Sequence, residues 1–372
     1  MTKKITICFY GTCNHPRDAK QEREWFGLGD IEDNGITNVL KLHVLFGGKL
    51  NNSAGKLKDQ HSFYYSGVGT YGNKVQKIFN AGFAPENLDV RRIIRTAGAD
   101  LKKIYKQGDS IFLFGFSRGA AIARRFAAVI NNYIEIEDDQ QPVNLLCVFD
   151  TVASIGFPNL DDDKKPQSDV IFENLTVSPY VKEALHLLSC DERRIAFMPT
   201  LMNQDKRVTE VWFSGAHADV GGGFWFDGLS DTTLKFVIDN LKSRGHGIIV
   251  SAEDDVNYKN LVALDGSYRI DRDDVQISPN IKGKSHQQDR FGPVAALTLA
   301  TRDIRVSKND KEWKNGIPLL HQSVTERIKK LVDYRPRALK GIQHQVVDNR
   351  GNPIGEPALG VWDYIQDLPK AA

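Results

Sequence analysis

Short and mostly apolar runs recur along the chain, at residues 5–9, 111–114, 144–149 and 209–213. Segments with apolar residues at helical spacing lie between and after them, at residues 75–79, 87–105, 119–133 and 232–243, and Asp231 is predicted to cap the last one. Strands that are apolar at nearly every position are typical of a sheet covered on both faces. The alternation therefore predicts an α/β fold, a mostly parallel sheet with helices on both faces.

Four stretches depart from this pattern. The segments near residues 18–34, 157–195 and 251–290 are weakly patterned and are predicted to be inserted surface or cap elements, which could build a lid. Residues 336–372 contain several prolines and are predicted to be a loop-rich tail packed on the core. The chain is therefore interpreted as one catalytic domain, residues 1–335, followed by this tail.

The composition argues against several classes of protein. With 49 lysines and arginines against 47 acidic residues, the net charge of +2 gives no support to nucleic-acid binding driven by overall charge. No apolar run reaches the roughly 18 residues that span a bilayer, and the N-terminal segment lacks the long apolar core of a signal peptide. The four cysteines form no paired motif, so synthesis in a reducing cytoplasm is predicted.

A candidate nucleophile follows the second apolar run. Residues 115–119 read GFSRG, and small residues that favour a helix come directly after them. This is the G-x-S-x-G pattern of a nucleophile elbow, in which the serine occupies a strained turn between a strand and a helix. Ser117 is therefore predicted to be the nucleophile of a serine hydrolase.

A nucleophilic serine needs a base, and usually a carboxylate that orients the base. Asp150 ends the third apolar run, and His217 follows the fourth in the loop GAHADVGGG, residues 215–223. The order Ser, Asp, His is that of α/β-hydrolases, and strand ends meet at one edge of a parallel sheet. The alternatives are Asp150 as a simple cap, and Asp219 as the acid, as a brace for the loop or, with His217, as a metal ligand. Two ligands do not make a metal site, so no metal or other cofactor is predicted.

Main-chain N–H groups usually stabilise the oxyanion in this chemistry. Those of Arg118 and of Gly11 or Thr12 are the candidates, with a simple turn at Gly11-Thr12 as the alternative.

The aromatic residues 224–226 follow the triple glycine. Core packing is predicted for them, with an acyl pocket or a membrane contact as the alternatives.

These motifs form part of a longer ordered set. The set comprises FYGT at residues 9–12, TNV at 37–39, YYSGVGT at 64–70, GFSRGA at 115–120, DTV at 150–152, DERR at 191–194 with Phe197, WFSGAHADVGGG at 212–223, and HQSV at 321–324 with Arg327. By this ordered set of motifs, the chain resembles the uncharacterised α/β-hydrolase domain family that includes the type VI secretion lipase effectors of the first class. The resemblance covers roughly residues 3–330. By this resemblance DERR is expected to be a helix and Phe197 its exit.

The resemblance implies an α/β-hydrolase fold and a phospholipase A-type antibacterial effector, with Ser117 as nucleophile, His217 as base and Asp150 as acid. It implies a lipid or phospholipid substrate with peripheral membrane contact. It also implies export into target cells with a secretion-apparatus carrier, and an immunity protein as a further partner. The alternatives are a carboxylesterase or thioesterase acting on small soluble esters, and a catalytically inactive binding module with the hydrolase fold.

Two positions complicate the comparison with this family. Tyr10 stands where relatives usually have Asp, so the geometry of the oxyanion loop or the substrate preference is expected to differ. His321, in the late motif, is the reserve candidate for the base. Neither residue changes the assignment of Ser117 and Asp150.

Overall fold

The computed structural model describes residues 2–10, 35–50, 55–65, 87–153, 175–263, 268–287 and 298–364. The strands in these ranges are β1 (Lys4–Phe9), β2 (Gly55–Leu57), β3 (Gln60–Tyr65), β4 (Ser110–Phe116), β5 (Val143–Phe149), β6 (Ala184–Ser189), β7 (Val208–Phe213), β8 (Ser307–Lys308), β9 (Lys311–Glu312), β10 (Leu319–His321), β11 (Gln343–Val347) and β12 (Ala358–Leu359). The helices are α1 (Asn38–Leu45), α2 (Asn87–Ile104), α3 (Arg118–Ala128), α4 (His217–Gly221), α5 (Gly228–Ser243), α6 (Arg272–Val275) and α7 (Gln322–Lys330).

Ten of these strands form one sheet in the order β12-β11-β10-β7-β6-β5-β4-β1-β3-β2, and β8 pairs with β9 apart from it. All neighbours from β11 to β3 are parallel, whereas β12 and β2 add antiparallel edges. The prediction of a mostly parallel α/β sheet is confirmed. Because β4, β5 and β7 run in the same direction, the residues that follow them meet at one edge of the sheet.

The two faces of the sheet are covered by different helices. Ile111 and Leu113 of β4 pack in a core cluster with α2 and α3. Phe112 and Phe114, which alternate with them, pack in a second cluster with α1 and α5. Since successive side chains of a strand point to opposite faces, a strand covered on both sides is apolar at each of these positions. This explains why β4 is visible in the sequence.

The strands that sequence reasoning missed carry polar residues. Part of the predicted insertion at residues 157–195 is β6, a central strand that is buried throughout. His186 interrupts its apolar run, but Nε2 of His186 accepts from the backbone N–H of Thr151 at 3.1 Å. Its Nδ1–H donates to Glu210 at 2.7 Å. A polar side chain with both ring nitrogens satisfied can lie in the core at little cost.

Other elements differ from the predictions at their ends. Residues 336–372, predicted to be a loop-rich tail, contribute β11 and β12 to the main sheet. The last predicted helix starts earlier, with Asp227 at its N-cap, and Asp231 instead pairs with the buried Lys41 at 2.9 Å. The segment 191–194 is not helical, and a short 3-10 turn, Ile195–Phe197, follows it. The predicted insertion at 18–34, the predicted helix at 75–79 and the segment 66–70 lie outside the described residues.

Candidate active site

Ser117 lies on the turn between β4 and α3, with φ 57° and ψ −122°. These angles are strained for a residue with a side chain, as expected for a nucleophile elbow. The glycines on either side are explained by close packing. A methyl group at Gly119 would overlap the carbonyl oxygen of Phe9 in β1, and one at Gly115 would lie 2.5 Å from the carbonyl oxygen of Gly119. The two glycines of the G-x-S-x-G sequence are therefore required by the close approach of α3 to the sheet.

The backbone of the elbow is tied to the neighbouring strand. The N–H of Ser117 donates to the carbonyl of Phe149 at 3.0 Å, and the N–H of Val152 donates to the carbonyl of Ser117 at 3.2 Å. The side chain of Ser117 is buried and does not cap α3. These bonds fix the turn, and the hydroxyl is not consumed in holding it.

Asp150 follows β5 and contacts His217, which opens α4 after β7. Nδ1–H of His217 donates to Oδ2 of Asp150 at 2.6 Å, and both side chains are buried. The main chain at Asp150 also has an uncommon positive φ of 36°. Since an ionised carboxylate only accepts hydrogen bonds, the proton of the neutral imidazole lies on Nδ1, and Nε2 is left with its lone pair. Nε2 is buried without a hydrogen-bond partner in the described part of the chain.

Two aromatic rings hold the imidazole in place. The ring centroid of Phe116, the residue before Ser117, lies 4.6 Å from that of His217, and the ring of Phe197 lies 4.9 Å from it. Glu192 accepts the backbone N–H of His217 at 3.2 Å and is itself paired with Arg194 at 2.8 Å. The imidazole is therefore fixed by packing as well as by Asp150, directly beside the elbow.

Arg302 is the residue of this site that sequence reasoning missed. Its two terminal nitrogens donate to the two oxygens of Asp150, at 3.2 and 2.7 Å, and its side chain is fully buried. The backbone N–H of Ser189 also donates to Oδ1 of Asp150, at 3.1 Å. Arg302 follows a weakly patterned segment, 152 positions from Asp150 in the chain, so no local signal in the sequence joins the two.

The surroundings set the charge states of the pair. Burial raises the pKa of the Asp150 carboxyl, but Arg302 and the hydrogen bond from His217 outweigh burial and hold that pKa at about 2, below its ordinary value of 3.8. Burial lowers the pKa of His217 despite the opposing effect of Asp150. At neutral pH the site therefore holds an ionised acid and a neutral imidazole, the states that a general base requires.

Asp219, the alternative acid, belongs to a different pair. Its Oδ1 binds Nδ1 of His286 at 2.6 Å, and its Oδ2 accepts the backbone N–H groups of Ala216 and His286 at 2.8 and 2.9 Å. The ring of His286 stacks on Phe224 with 3.7 Å between centroids. Asp219 thus joins the loop of His217 to the segment around residue 286, and the carboxylate on His217 is that of Asp150.

His321, the reserve base, is held in a structural role. Its Nδ1 accepts the backbone N–H of Ser323 at 3.3 Å at the start of α7, so Nε2–H donates to Asn349 at 3.0 Å. Its ring stacks on Phe213 at 4.6 Å, and burial lowers the pKa of His321 to about 4. Because both nitrogens are engaged away from Ser117, the structure gives His321 no part in this site.

The oxyanion candidates are only partly covered by the structure. Arg118 opens α3 directly after Ser117, so its backbone N–H is at the start of a helix, where amide groups favour negative charge. Gly11 and Thr12 lie outside the described residues. Tyr10 is buried at the end of β1, where its N–H donates to the carbonyl of Tyr65 at 3.0 Å and its ring lies 5.7 Å from that of Tyr64.

This arrangement agrees with a comparison against protein families. The family described as "T6SS, Phospholipase effector Tle1-like, catalytic domain" matches residues 3–138 and 132–240, which is more than half of the chain. The chain belongs to this family. The match includes Ser117, Asp150 and His217, but it ends before Arg302.

This Tle1-like chain is also similar to three individual proteins. An uncharacterized protein of Saccharomyces cerevisiae is 27% identical over 250 residues, 52% of this chain and 32% of the yeast protein. The Tle1 effector, solved bound to the VgrG spike of the type VI secretion system, is 23% identical with a TM-score of 0.34, over 60% of this chain and 51% of that one. An uncharacterized protein from Pseudomonas aeruginosa is 17% identical with a TM-score of 0.38, over 75% and 49%. The chain therefore spans about a third of the length of the yeast protein and about half of the length of the other two.

Contacts in this Tle1-like domain also explain two other motifs, TNV at residues 37–39 and the triple glycine at residues 221–223. The side chain of Asn38 donates to the carbonyls of Val220 and Ser230 at 3.0 and 2.9 Å, at the two helices that follow His217. A methyl group at Gly222, which has φ 81°, would lie 2.5 Å from the backbone nitrogen of Asn38. The glycines thus let the start of α1 approach the loop of His217, and Asn38 fixes that loop.

Among the described residues, no three His, Cys, Asp or Glu side chains are grouped so that they could hold a metal ion. The pairs of His217 with Asp150 and of His286 with Asp219 each contain one carboxylate and one imidazole.

Proposed function

We propose that this chain is a serine ester hydrolase that cleaves acyl esters of phospholipids. The observation that carries the proposal is the 2.6 Å hydrogen bond between Asp150 and His217, formed beside a serine held in the strained elbow conformation. Membership of the Tle1-like phospholipase effector family supports the choice of a lipid substrate. His217 differs from the structural imidazoles of His186 and His321 because its Nε2 forms no hydrogen bond with any described residue, as expected of a general base.

The proposed reaction uses Ser117, His217 and Asp150 in turn. Nε2 of His217, whose lone pair is unused, takes the proton of Ser117 as the hydroxyl oxygen attacks the ester carbonyl. Asp150 keeps the imidazole in the correct tautomer and stabilises the imidazolium that forms. The imidazolium then protonates the leaving alcohol, and an acyl-enzyme remains. Water, activated by the same nitrogen, releases the fatty acid and restores the hydroxyl.

The negative charge that develops on the carbonyl oxygen needs fixed donors. The backbone N–H of Arg118, at the start of α3, is proposed as one of them, and Gly11 or Thr12 as the source of the second.

From membership of the family, we also propose that the protein is delivered into target cells by a secretion apparatus. A carrier of that apparatus and an immunity protein are the proposed partners.

A substrate panel tests the proposal. The purified chain is incubated with phospholipid vesicles, and with short-chain soluble esters and thioesters, and released fatty acid is measured. Hydrolysis of the vesicles at a higher kcat/KM than the soluble esters is expected. Preference for soluble esters without any action on vesicles would instead favour a carboxylesterase or thioesterase, and no hydrolysis of any compound would favour a binding module.

Two aromatic side chains are proposed to contact the lipid surface. Trp225 and Phe226 are 37% and 51% exposed, so the prediction that they pack in the core is wrong, and they follow the loop of His217. In the described ranges, no helix is both long enough and apolar enough to cross a bilayer. Exposed aromatic residues are suited to the membrane–water interface, where apolar rings are partly buried.

Replacing both residues, W225A with F226A, is expected to reduce hydrolysis of vesicles by roughly tenfold or more, since each buried aromatic ring contributes about 1.5–3 kcal/mol. Hydrolysis of a short soluble ester should stay within about twofold of the parent. The substitution V332A, which truncates another exposed apolar side chain, serves as the control. Equal losses on both substrates would show that the rings shape the active site instead.

A further inference from the structure

A cleft of about 250 Å³ opens beside Arg302, the partner of Asp150. Four arginines line it, Arg193, Arg302, Arg335 and Arg337, together with Asp191 and Asp333. Ser117 and His217 are not among its lining residues, so this arginine cleft is distinct from the reacting atoms. Arg302 is the residue that the cleft and the proposed catalytic site share.

The walls of the arginine cleft are held by buried contacts. Nη1 of Arg335 donates to the carbonyls of Ile328, Leu331 and Tyr334 at 2.7–3.1 Å. The N–H of Ala300 donates to the carbonyl of Arg193 at 2.7 Å, which joins the segment of Arg302 to that of Arg193. The side chain of Arg302 is fully buried, and its Nε has no hydrogen-bond partner within the described ranges. The guanidinium groups of Arg302 and Arg335 are therefore positioned before any ligand arrives.

The charges of the arginine cleft do not cancel locally. Oδ2 of Asp191 is occupied by the hydroxyl of Tyr334 and the backbone N–H of Gly215, each at 2.7 Å. Asp333 is exposed at the surface. The charge of Arg302 is matched by Asp150, but Arg337 is exposed and forms no ion pair with any described residue. Four arginines line the cleft against two aspartates, and Arg302 is matched by Asp150, so the arginine cleft keeps an excess of one positive charge.

The chemistry of the lining selects the ligand. Guanidinium groups bind phosphate with two parallel hydrogen bonds, and several guanidinium groups around one cleft favour an anion with several oxygens. A lining of charged groups is a poor environment for an acyl chain, because desolvating those groups costs more than the apolar contact returns. We propose that the arginine cleft binds a phosphate group. That the phosphate belongs to a phospholipid headgroup rests on the proposed function, whereas the binding of phosphate itself does not.

The test measures the binding of phosphate compounds to a variant that cannot hydrolyse esters. The full chain carrying S117A is titrated by calorimetry with inorganic phosphate, and separately with sn-glycero-3-phosphoglycerol, the soluble diester of a headgroup, at constant ionic strength. Saturable binding is expected, and adding R337A should raise the dissociation constant by at least about tenfold, since hydrogen bonds to charged groups are the strong ones. The variant R337K should recover part of the loss. R350A, which removes an exposed arginine outside the lining, should change nothing.

Each outcome decides the proposal. Binding of the diester alone supports a lipid headgroup, and binding of both compounds supports a phosphate group from either source. Absence of binding by both compounds, or equal affinities of the R337A and parent proteins, overturns the proposal. Because Arg337 is exposed, R337A should melt within a few degrees of the parent, which separates lost binding from lost folding. If phosphate binds but the parent fails to hydrolyse phospholipid, the proposed function fails and the arginine cleft stands.

Discussion

The substitution S117A is expected to lower kcat for ester hydrolysis by at least about 10³-fold, because the proposed acyl-enzyme forms on the hydroxyl of Ser117. The residual rate is that of a site that still positions substrate and oxyanion donors. The fold should persist, since the turn is held by backbone hydrogen bonds of Ser117 to Phe149 and Val152 and the hydroxyl caps nothing. Initial rates on the preferred ester, with circular dichroism of both proteins, provide the measurement.

A fluorophosphonate probe gives an independent reading of the same prediction. The parent should be labelled at Ser117, and the S117A protein should not be labelled. The control S243A removes a hydroxyl at the end of α5 and should behave as the parent. Undiminished hydrolysis by S117A would reject the proposed mechanism, and an unlabelled but well-folded parent would point to a module without catalysis.

The substitution R302M is expected to move the acid limb of the pH profile of kcat/KM to higher pH. The pair of Asp150 and His217 takes up one proton as pH falls, and the Arg302 cation opposes that uptake from 2.7 Å. Removing a buried cation therefore raises the affinity of the pair for the proton, wherever the proton resides. The rate at neutral pH should fall as a larger fraction of the enzyme becomes protonated.

The free energy of unfolding provides a second measurement on R302M. Because this variant leaves Asp150 buried without its partner, its free energy of unfolding at neutral pH is expected to be about 3–5 kcal/mol lower than that of the parent, measured with urea. In the parent the folded pKa of Asp150, about 2, lies below the ordinary 3.8. The stabilisation that the ionised carboxylate of Asp150 contributes is therefore present above about pH 4 and is lost as pH falls toward 2.

The conservative variant R302K separates these effects. Lysine keeps the charge but not the two parallel hydrogen bonds, so the acid limb should return toward that of the parent while part of the stability loss remains. An acid limb that is the same in R302M and in the parent would show that Arg302 only supports the fold.

The sequence was sufficient for the elements whose patterns are local. Strand β4 and the turn after it are encoded by one apolar run and two glycines, and Asp150 stands at the abrupt end of another run. Strand β6 was missed because His186 breaks its pattern, and the compensating partners Glu210 and Thr151 are recognisable only when the strands are side by side.

The rest of the site depends on contacts between distant parts of the chain. Nothing near Arg302 in the sequence distinguishes it from the other arginines, since its role comes from facing Asp150 across the fold. The choice between Asp150 and Asp219 was open for the same reason. Asp219 is two residues from His217 but is turned toward His286, and only the spatial arrangement resolves which carboxylate meets which imidazole.

The hydrogen bonds that bind the turn of Ser117 to the end of β5 have a consequence for regulation. The proposed nucleophile and acid move as one body with the middle of the sheet, so their alignment is not lost unless two central strands separate. Loss of activity in the folded protein would then have to come from the imidazole of His217, by protonation or displacement, or from blocked access to the buried serine.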